Sequence, residues 1–192
     1  MSKLQRCAWV RPDPLYEAYH DEEWGVPVHD DRVLFEMLNL EGAQAGLSWY
    51  IVLKKRDSYR AAFDGFDPEK IVRYNPRKIE SLLQNEGIVR NRLKVEATIS
   101  NARAYLALRE KGTTLDGFLW SLAGGKPLQN RWTAMGQVPA KTPVSDAMSK
   151  ALKAQGFKFI GTTICYAFMQ AVGMVNDHFV DCPRHEAVRK LR

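Results

Sequence analysis

Aromatic side chains crowd the first quarter of the sequence and surround one acidic residue, Glu41. The aromatic residues of this region are Trp9, Tyr16, Tyr19, Trp24, Trp49 and Tyr50. Rings of this kind can sandwich a flat heterocycle, and their π faces attract a positively charged one. A carboxylate beside them can accept hydrogen bonds from an exocyclic amine and reject rings that lack this donor. The pattern indicates a pocket for a polar or cationic ring; in the alternative interpretation the rings are core and Glu41 is solvated.

A second group of residues has the types that bind a metal ion. His178 and Cys182 are four positions apart, so a helix or a turn brings both side chains to one ion. Cys7 and His20, near the other end, complete a Cys₂His₂ set, which suits tetrahedral Zn²⁺. Four protein ligands close such a site, so the zinc is expected to be structural and to fasten both chain ends together.

Other interpretations of the cysteines and histidines remain open. Buried cysteines often act as plain hydrophobic residues, and this is the expectation for Cys165 in an apolar helix. His185 lies three positions beyond Cys182 and competes as a ligand, whereas His29 is expected to be solvated. Three cysteines, an odd number, in a chain that begins without an apolar signal segment argue against a disulfide framework.

Two segments have features of nucleic-acid contacts. Leu47 lies between small residues at a predicted helix start, where an apolar tip can fill the gap left by an extruded base. Gly87 forms a predicted tight turn that leads into a helix, and exposed backbone N–H groups at such a helix start bind anions. Arg90, Arg92 and Lys94 add positive charge. The simpler alternative is an ordinary connection between two helices.

The elements that must position these residues are predicted to be helices. Asp13, Asp67 and Asn75 each precede a proline, the pattern of an N-cap followed by the first helical residue. Asp30 or Asp31 is expected to cap the helix that carries Glu41. Ser48 is expected to cap the next, which runs to about residue 63.

The second half of the chain continues this pattern. An amphipathic helix is predicted from about 91 to 109, and a short one follows Thr114. Residues 124–143 are expected to form a long loop, after which Ser145 caps a helix. A last helix is predicted from about 162 to 174, and the segment 183–192 is expected to be a flexible basic tail. Period-2 alternation is scarce, so we predict an all-α fold in one domain, 1–192, with two helical lobes.

The composition of the 192 residues limits the class of protein. Hydrophobic residues make up 45% and charged residues 26%, an ordinary globular balance. The net charge of +6 weakly favours a polyanionic partner. We expect a cytoplasmic, nucleoid-associated protein with no membrane span, no small-molecule cofactor and a monomeric state.

Long strings of the sequence resemble the bacterial 3-methyladenine DNA glycosylase I family. The similarity covers nearly the whole chain. The strings are Cys-x-Trp-Val at 7–10, Asp-Pro-Leu-Tyr-x-Ala-Tyr-His-Asp-x-Glu-Trp-Gly-Val-Pro at 13–27, Leu-Glu-Gly-x-Gln-Ala-Gly-Leu-Ser-Trp at 40–49, Val-Leu-Lys-Lys-Arg at 52–56, Asn-Ala-Arg-Ala-Tyr-Leu at 101–106, Ser-Lys-Ala-Leu-Lys at 149–153, Gly-Phe-Lys-Phe-Ile-Gly-Thr-Thr-Ile-Cys-Tyr at 156–166 and Val-Asn-Asp-His at 175–178.

The resemblance implies a helix-hairpin-helix glycosylase fold whose zinc site joins the N- and C-terminal segments. It implies a zinc ion at Cys7, His20, His178 and Cys182. It places an alkylated adenine against Glu41, Tyr19 and Trp49, with Trp9 and Trp24 shaping the wall. It implies contacts to alkylated double-stranded DNA at Gln44, Gly46, Leu47, Gly87, Val89 and Lys94, although the turn Asn-Glu-Gly-Ile-Val departs from the commoner hairpin pattern.

The implied reaction is monofunctional hydrolysis of the N-glycosidic bond, with Glu41 binding the base. The family lacks the usual catalytic aspartate of the superfamily, and neither Asp146 nor Asp177 is nominated for that role. Three alternatives stay open: a zinc-stabilised DNA-binding module without activity, a zinc hydrolase, and a glycosylase for another alkylated base. The zinc hydrolase is disfavoured because the Pro-Cys-x-x-Cys motif, which zinc deaminases pair with His-x-Glu, is missing.

Overall fold

The computed structural model describes residues 5–191 and is built mainly of helices. The α-helices are α1 Pro14–Ala18, α2 Asp31–Gln44, α3 Trp49–Ala62, α4 Pro68–Ile71, α5 Pro76–Gln84, α6 Arg92–Glu110, α7 Leu115–Leu122, α8 Pro143–Ala154, α9 Thr162–Ala171 and α10 Pro183–Arg189. One π-helical turn, Tyr19–Glu23, continues α1, and 3₁₀ turns lie at Asp64–Phe66 and Met135–Gln137.

A short strand pair is the single departure from helix and loop within residues 5–191. The strands β1 Leu128–Gln129 and β2 Val175–Asn176 run parallel, with Leu128 opposite Val175. They join the loop after α7 to the segment after α9. The all-α prediction is therefore confirmed for the bulk of the described chain, and two residues per strand are too few for a period-2 pattern to reveal.

The predicted caps are confirmed where a polar residue precedes proline. The Asp13 side chain accepts hydrogen bonds from two backbone N–H groups of α1, at 3.1 and 3.2 Å. Asp67 caps α4, and Asn75 caps α5. Of the two candidates for α2, Asp30 is the cap, accepting from the N–H of Val33 at 2.9 Å. Each cap depends on residues within one turn, so the sequence alone predicts it.

Three boundaries differ from the sequence prediction. Helix α8 begins earlier, because Thr142 is its cap and Ser145 occupies the third helical position of a reciprocal capping box. Helix α9 ends at Ala171 rather than near 174, because the chain turns at Gly173 into β2. The expected flexible tail instead forms α10, with Val188 buried; the last residue of the chain lies outside the described range.

Helix α2 lies at the centre of the protein. Residues 34–43 are all buried, and the helix packs against α3, α6, α7 and α9. Its amide Asn39 accepts a hydrogen bond at 2.9 Å from Asn101 of α6, which also holds the backbone of Lys158. A helix enclosed in this way carries its last turn, and therefore Glu41, into the interior.

The N-terminal segment closes against the end of α9 through two glycines. The N–H of Gly25 donates to the carbonyl of Gln170 at 3.0 Å. Gly173 has a φ of 71°, and a Cβ atom there would lie 2.3 Å from the backbone of Val26. Only glycine permits this approach, which brings the segment after the π turn beside β2. Within residues 5–191, every helix is too short or too polar to span a bilayer.

Candidate functional site

A cavity of about 230 Å³ opens between the N-terminal segment, the end of α2 and the end of α9. Its walls combine aromatic rings with two carboxyl side chains. The lining residues are Trp9, Tyr16, Tyr19, Trp24, Glu41, Gln44, Trp49, Met135, Val138, Ala167, Gln170, Asp177 and Phe179. All five residues that the sequence assigned to base recognition lie in this one cavity. The aromatic rings therefore line the cavity and also pack in the hydrophobic core.

Glu41 lies in the last turns of α2 and is 3% exposed. Within residues 5–191 its carboxyl group has no hydrogen-bond partner and no ion pair. Burial therefore raises the pKa of Glu41 to about 8, because a charged carboxylate loses its hydration without any compensating donor. A buried acceptor without a partner is available for a ligand that brings a donor or a positive charge.

The aromatic walls form two groups around this carboxyl group. The rings of Tyr19 and Trp49 lie 5.4 Å apart at a tilt of 43°. Trp9 packs edge-on against Trp24 at 4.9 Å and against Tyr16 at 5.3 Å. Among the described residues 5–191, the buried indole nitrogens of Trp9 and Trp49 have no hydrogen-bond partner, so these walls also hold unused donors. A flat ring with acceptors and an exocyclic amine matches these walls.

The four predicted metal ligands lie together. One ligand atom from each of Cys7, His20, His178 and Cys182 falls within 4.8 Å of the others, and all four residues are buried. Three sulfur–nitrogen distances in the cluster are 3.6, 3.7 and 3.9 Å. A tetrahedral ion with Zn–S of 2.3 Å and Zn–N near 2.0 Å would separate sulfur and nitrogen by about 3.6 Å. The cluster could therefore hold a metal ion.

The outer hydrogen bonds of the two histidines select the nitrogens that face the cluster. Nδ1 of His20 lies 2.7 Å from a carboxylate oxygen of Asp21, which Arg6 holds with two N–H groups. Nε2 of His178 lies 2.9 Å from the carbonyl oxygen of Trp24. Because a nitrogen that donates outward leaves the other one free, Nε2 of His20 and Nδ1 of His178 are the atoms that could bind a metal ion.

The sulfur atoms of the cluster also accept hydrogen bonds. The backbone N–H of Phe179 donates to Sγ of Cys7 at 3.3 Å. The hydrogen bond from the Cys7 thiol lowers the pKa of the Cys182 thiol, which favours the thiolate form that binds metal. Two other candidate residues lie outside the cluster. His185 lies outside the cluster and contacts the carbonyl of Asn130, and Cys165 is buried in α9.

The segment between α2 and α3 carries the residues predicted to enter DNA. Gly46 has a φ of 78°, which favours glycine, and the N–H of Leu47 donates to the carbonyl of Gln44 at 2.7 Å. This turn leaves Leu47 37% exposed beside the cavity residue Gln44. An apolar tip at the mouth of the cavity is compatible with a wedge, which stays a prediction.

The turn between α5 and α6 is tightly packed. Its Gly87 N–H donates to the side chain of Asn85 at 2.8 Å, and the Val89 N–H donates to the hydroxyl of Tyr59 at 3.0 Å. A Cβ on Gly87 would lie 2.8 Å from Ser58, which explains the glycine. The two amides therefore already have partners, and a phosphate contact at this turn stays a prediction.

Lys94 has a partner that the sequence did not indicate. Its ammonium group reaches from α6 to α2 and donates to the carbonyls of Ala43 and Ala45, at 2.8 and 2.7 Å. These carbonyls belong to the unsatisfied end of α2. Lys94 thus anchors the start of the turn that carries Leu47, and its predicted phosphate contact would share the ammonium group with these bonds.

Several cavity residues were not assigned to the site by the sequence analysis. Met135 and Val138 belong to the segment that was expected to be a long loop, and Gln170 lies in the apolar helix α9. Asp177 was seen but not assigned a role. Its position directly before His178 was the one available signal, since a neighbour of a clustered ligand shares its surroundings.

Fold and cavity together define a helical protein whose aromatic-walled cavity could accept a flat, hydrogen-bonding ring above a buried carboxyl group. Comparison with known proteins makes this class specific. The sequence model of the methyladenine glycosylase family matches residues 9–185, and the chain belongs to this family.

Relatives and solved structures agree with this assignment. DNA-3-methyladenine glycosylase 1 of Escherichia coli (strain K12) is 54% identical over 179 residues, 93% of this chain and 96% of the relative. A crystal structure of a 3-methyladenine DNA glycosylase I superposes with a TM-score of 0.92 at 56% identity, covering 93% of this chain and 98% of that one. The structure of the Staphylococcus aureus 3-methyladenine DNA glycosylase I, studied for 3-methyladenine recognition, superposes with a TM-score of 0.90 at 37% identity. The superposition covers 94% of this chain and 96% of that one.

Proposed function

We propose that this protein is a DNA-3-methyladenine glycosylase that hydrolyses the N-glycosidic bond of 3-methyladenine in alkylated double-stranded DNA. Membership of the methyladenine glycosylase family supports the reaction class. The observation that carries the assignment is the unpartnered, buried carboxyl group of Glu41 inside an aromatic cavity. Within residues 5–191, no hydrogen bond or ion pair compensates the desolvation of Glu41, so binding of a ligand is the explanation for this buried carboxyl group.

Glu41 recognises the base through charge and hydrogen bonding. 3-Methyladenine in DNA carries a positive charge and an exocyclic amine. When this base enters, its charge lowers the pKa of Glu41 from about 8, and the carboxylate then accepts from the amine. Tyr19 and Trp49 hold the ring, and Trp9 and Trp24 close the wall. A neutral adenine brings no charge to offset the desolvation of Glu41, so it binds more weakly.

The chemical step is displacement of the base by water. The bond between the sugar carbon C1′ and the base nitrogen breaks, and its electron pair neutralises the cationic base. A water oxygen bonds to C1′ and releases one proton, which leaves an abasic site and neutral 3-methyladenine. Because the base leaves as a neutral molecule, no side chain needs to protonate it. Glu41 binds the base in this scheme, and no lysine forms a Schiff base with the sugar.

Access to the base requires extrusion of the nucleotide from the duplex. Leu47, which is exposed on the turn of Gln44 and Gly46, would occupy the vacated stack. We propose that α5, the turn at Gly87 and Val89, and α6 form the helix-hairpin-helix element that holds the DNA backbone. The whole chain then acts as a single glycosylase domain and as a monomer.

We also propose that the Cys₂His₂ cluster holds one structural Zn²⁺. The donor set of two sulfurs and two imidazole nitrogens, with distances near those of a tetrahedral site, supports this metal. With four protein ligands, zinc would link the segment of Cys7 and His20 to that of His178 and Cys182 and would have no open position for reaction. Trp9, two residues after Cys7 and edge-on to His20, and Trp24, in contact with His178, would be held in place by the same link.

Release of free bases from methylated duplex DNA tests the proposal, with chromatography as the readout and undamaged duplex as the control. We expect 3-methyladenine to be released and 7-methylguanine to remain in the DNA. Release of many alkylated bases would keep the reaction class and contradict a selective Glu41 pocket. A folded, zinc-loaded protein that releases no base would be a DNA-binding module instead.

A further inference from the structure

Asp177 is a second buried carboxyl group in the wall of the cavity, and unlike the first it is fully hydrogen-bonded. It directly follows β2 and is 1% exposed. Its Oδ1 accepts from the amide of Asn130 and the indole N–H of Trp132, both at 2.7 Å. Its Oδ2 accepts from the hydroxyl of Tyr166 at 2.6 Å and from Nε2 of Gln170 at 2.8 Å.

These four bonds define what Asp177 can and cannot do. All four donors are neutral, and no lysine or arginine within residues 5–191 lies within 4.0 Å of the carboxylate. A carboxylate offers about four acceptor sites, so this one has no free lone pair for a proton from water. It is therefore unsuited to act as a general base. What remains is a fixed negative charge in a poorly hydrated wall, where its field extends into the cavity.

The same bonds fix the orientation of Gln170. A carboxylate only accepts, so the amide nitrogen of Gln170 must face Asp177. Gln170 also lines the cavity, and its Oε1 is the amide atom left for that side. The backbone of Gln170 is held as well, because its carbonyl accepts from Gly25 at 3.0 Å. The cavity thus gains an oriented acceptor from α9, across from the carboxyl group on α2.

We propose that Asp177 is a positioning residue for base excision, which turns the amide oxygen of Gln170 toward the cavity and keeps a fixed negative charge beside the flipped nucleotide. The inference rests on the proposed function. As the glycosidic bond lengthens, its electrons move to the base and the sugar becomes electron-poor. In this proposal C1′ lies nearer to Asp177 than the base does, so the preorganised negative charge stabilises the electron-poor sugar more than the ground state, in which the positive charge lies on the base.

Two abasic-site analogues in duplex DNA provide a readout that depends on charge. A pyrrolidine analogue carries a positive charge where the sugar becomes electron-poor, and a tetrahydrofuran analogue is neutral. We expect the unmodified protein to bind the pyrrolidine duplex more tightly. In Asp177→Asn, which nearly keeps the shape of the side chain, the ratio of the affinities for the pyrrolidine and tetrahydrofuran duplexes should fall at least tenfold. The single-turnover excision rate of this variant at saturating protein should fall at least tenfold, with the metal content unchanged. The melting temperature should fall, because the amide nitrogen of asparagine faces two of the four donors, and excision is therefore measured well below it.

Asp146→Asn is the matched control, since Asp146 is exposed in the first turn of α8 and lies outside the cavity. It should keep both the preference and the rate. A purely structural Asp177 would weaken binding of both duplexes equally on substitution, and that result would overturn the proposal. An Asp177→Asn protein with the original preference and rate would overturn it as well.

A second variant keeps the proposal testable if Asp177→Asn loses the fold or the metal. Gln170→Met removes the oriented acceptor and leaves the charge of Asp177 in place. We expect slower excision, by at least threefold, with the preference for the pyrrolidine duplex retained. Wild-type excision by this variant would overturn the role given to Gln170. The duplex preference needs no excision, so a protein that releases no base would fail the proposed function while Asp177 is still tested.

Discussion

Replacing Glu41 by glutamine is expected to stabilise the folded protein and to abolish recognition of 3-methyladenine. Burial raises the pKa of Glu41 from 4.5 to about 8, so the folded protein must keep this group protonated at neutral pH. The unfolded chain pays no such penalty. Glutamine has almost the same shape and needs no proton, so the substitution removes the penalty and leaves the fold unchanged.

The size of the effect follows from the two pKa values. Between pH 4.5 and about 8 the folded state binds a proton that the unfolded state lacks, so the contribution of Glu41 to stability falls as pH rises. The slope is about 1.4 kcal/mol per pH unit, which amounts to about 3 kcal/mol at pH 7. For a chain of this length, that difference raises the melting temperature by about 6–12 °C.

Thermal unfolding of both proteins from pH 6 to pH 9 measures this difference. The advantage of Glu41→Gln should grow from pH 6 to about pH 8 and stay constant above it. Glu36→Gln, on the same helix, is the matched control, because Glu36 accepts from Arg60 at 2.8–3.1 Å. It should bring no gain in stability and leave excision unchanged.

Two outcomes would refute this reasoning. If Glu41→Gln and the unmodified protein melt alike across the whole pH range, Glu41 is ionised and compensated in the folded state. If the variant still releases 3-methyladenine at the original rate, the carboxyl group does not recognise the base. A stabilised variant without excision would show that this pocket trades stability for function.

Three further perturbations test the ring wall, the Lys94 contact and the metal cluster. Trp49→Ala should weaken binding of duplex containing the extruded base about tenfold, since one stacking contact is worth about 1–3 kcal/mol. Binding of undamaged duplex should weaken by less than twofold. Equal losses in the two titrations would mean that Trp49 is a core residue and does not stack on the base. Lys94→Met should slow excision, because the ammonium group of Lys94 is bonded to two carbonyls at the end of α2. For the same reason, the slope of the logarithm of the DNA-binding constant against the logarithm of the salt concentration should stay unchanged. A slope smaller by about 0.9 would instead mean that Lys94 contacts a phosphate. Elemental analysis should find one zinc ion per chain. Cys182→Ser should lose this zinc and have a melting temperature more than about 10 °C lower. A Cys182→Ser protein that keeps the metal would show that Cys182 is not a ligand.

The sequence determined the features that depend on near neighbours. Asp13, Asp67 and Asn75 bond to backbone N–H groups two or three residues ahead, so type and spacing were enough to place their helices. The pocket and metal residues came from long family-like strings. Their spacing alone left His185 as a rival ligand, since nothing local brings Cys7 near His178.

Tertiary structure decided which distant groups meet. The wall of the cavity joins Glu41 on α2 to Asp177 after β2, and Lys94 reaches the end of α2 from another helix. Helix α10 buries Val188 although its sequence is basic. The protonation of Glu41, the saturation of Asp177 and the partners of Lys94 all depend on what surrounds a side chain in space. Those surroundings come from residues tens of positions away, so no pattern within one helix turn could reveal them.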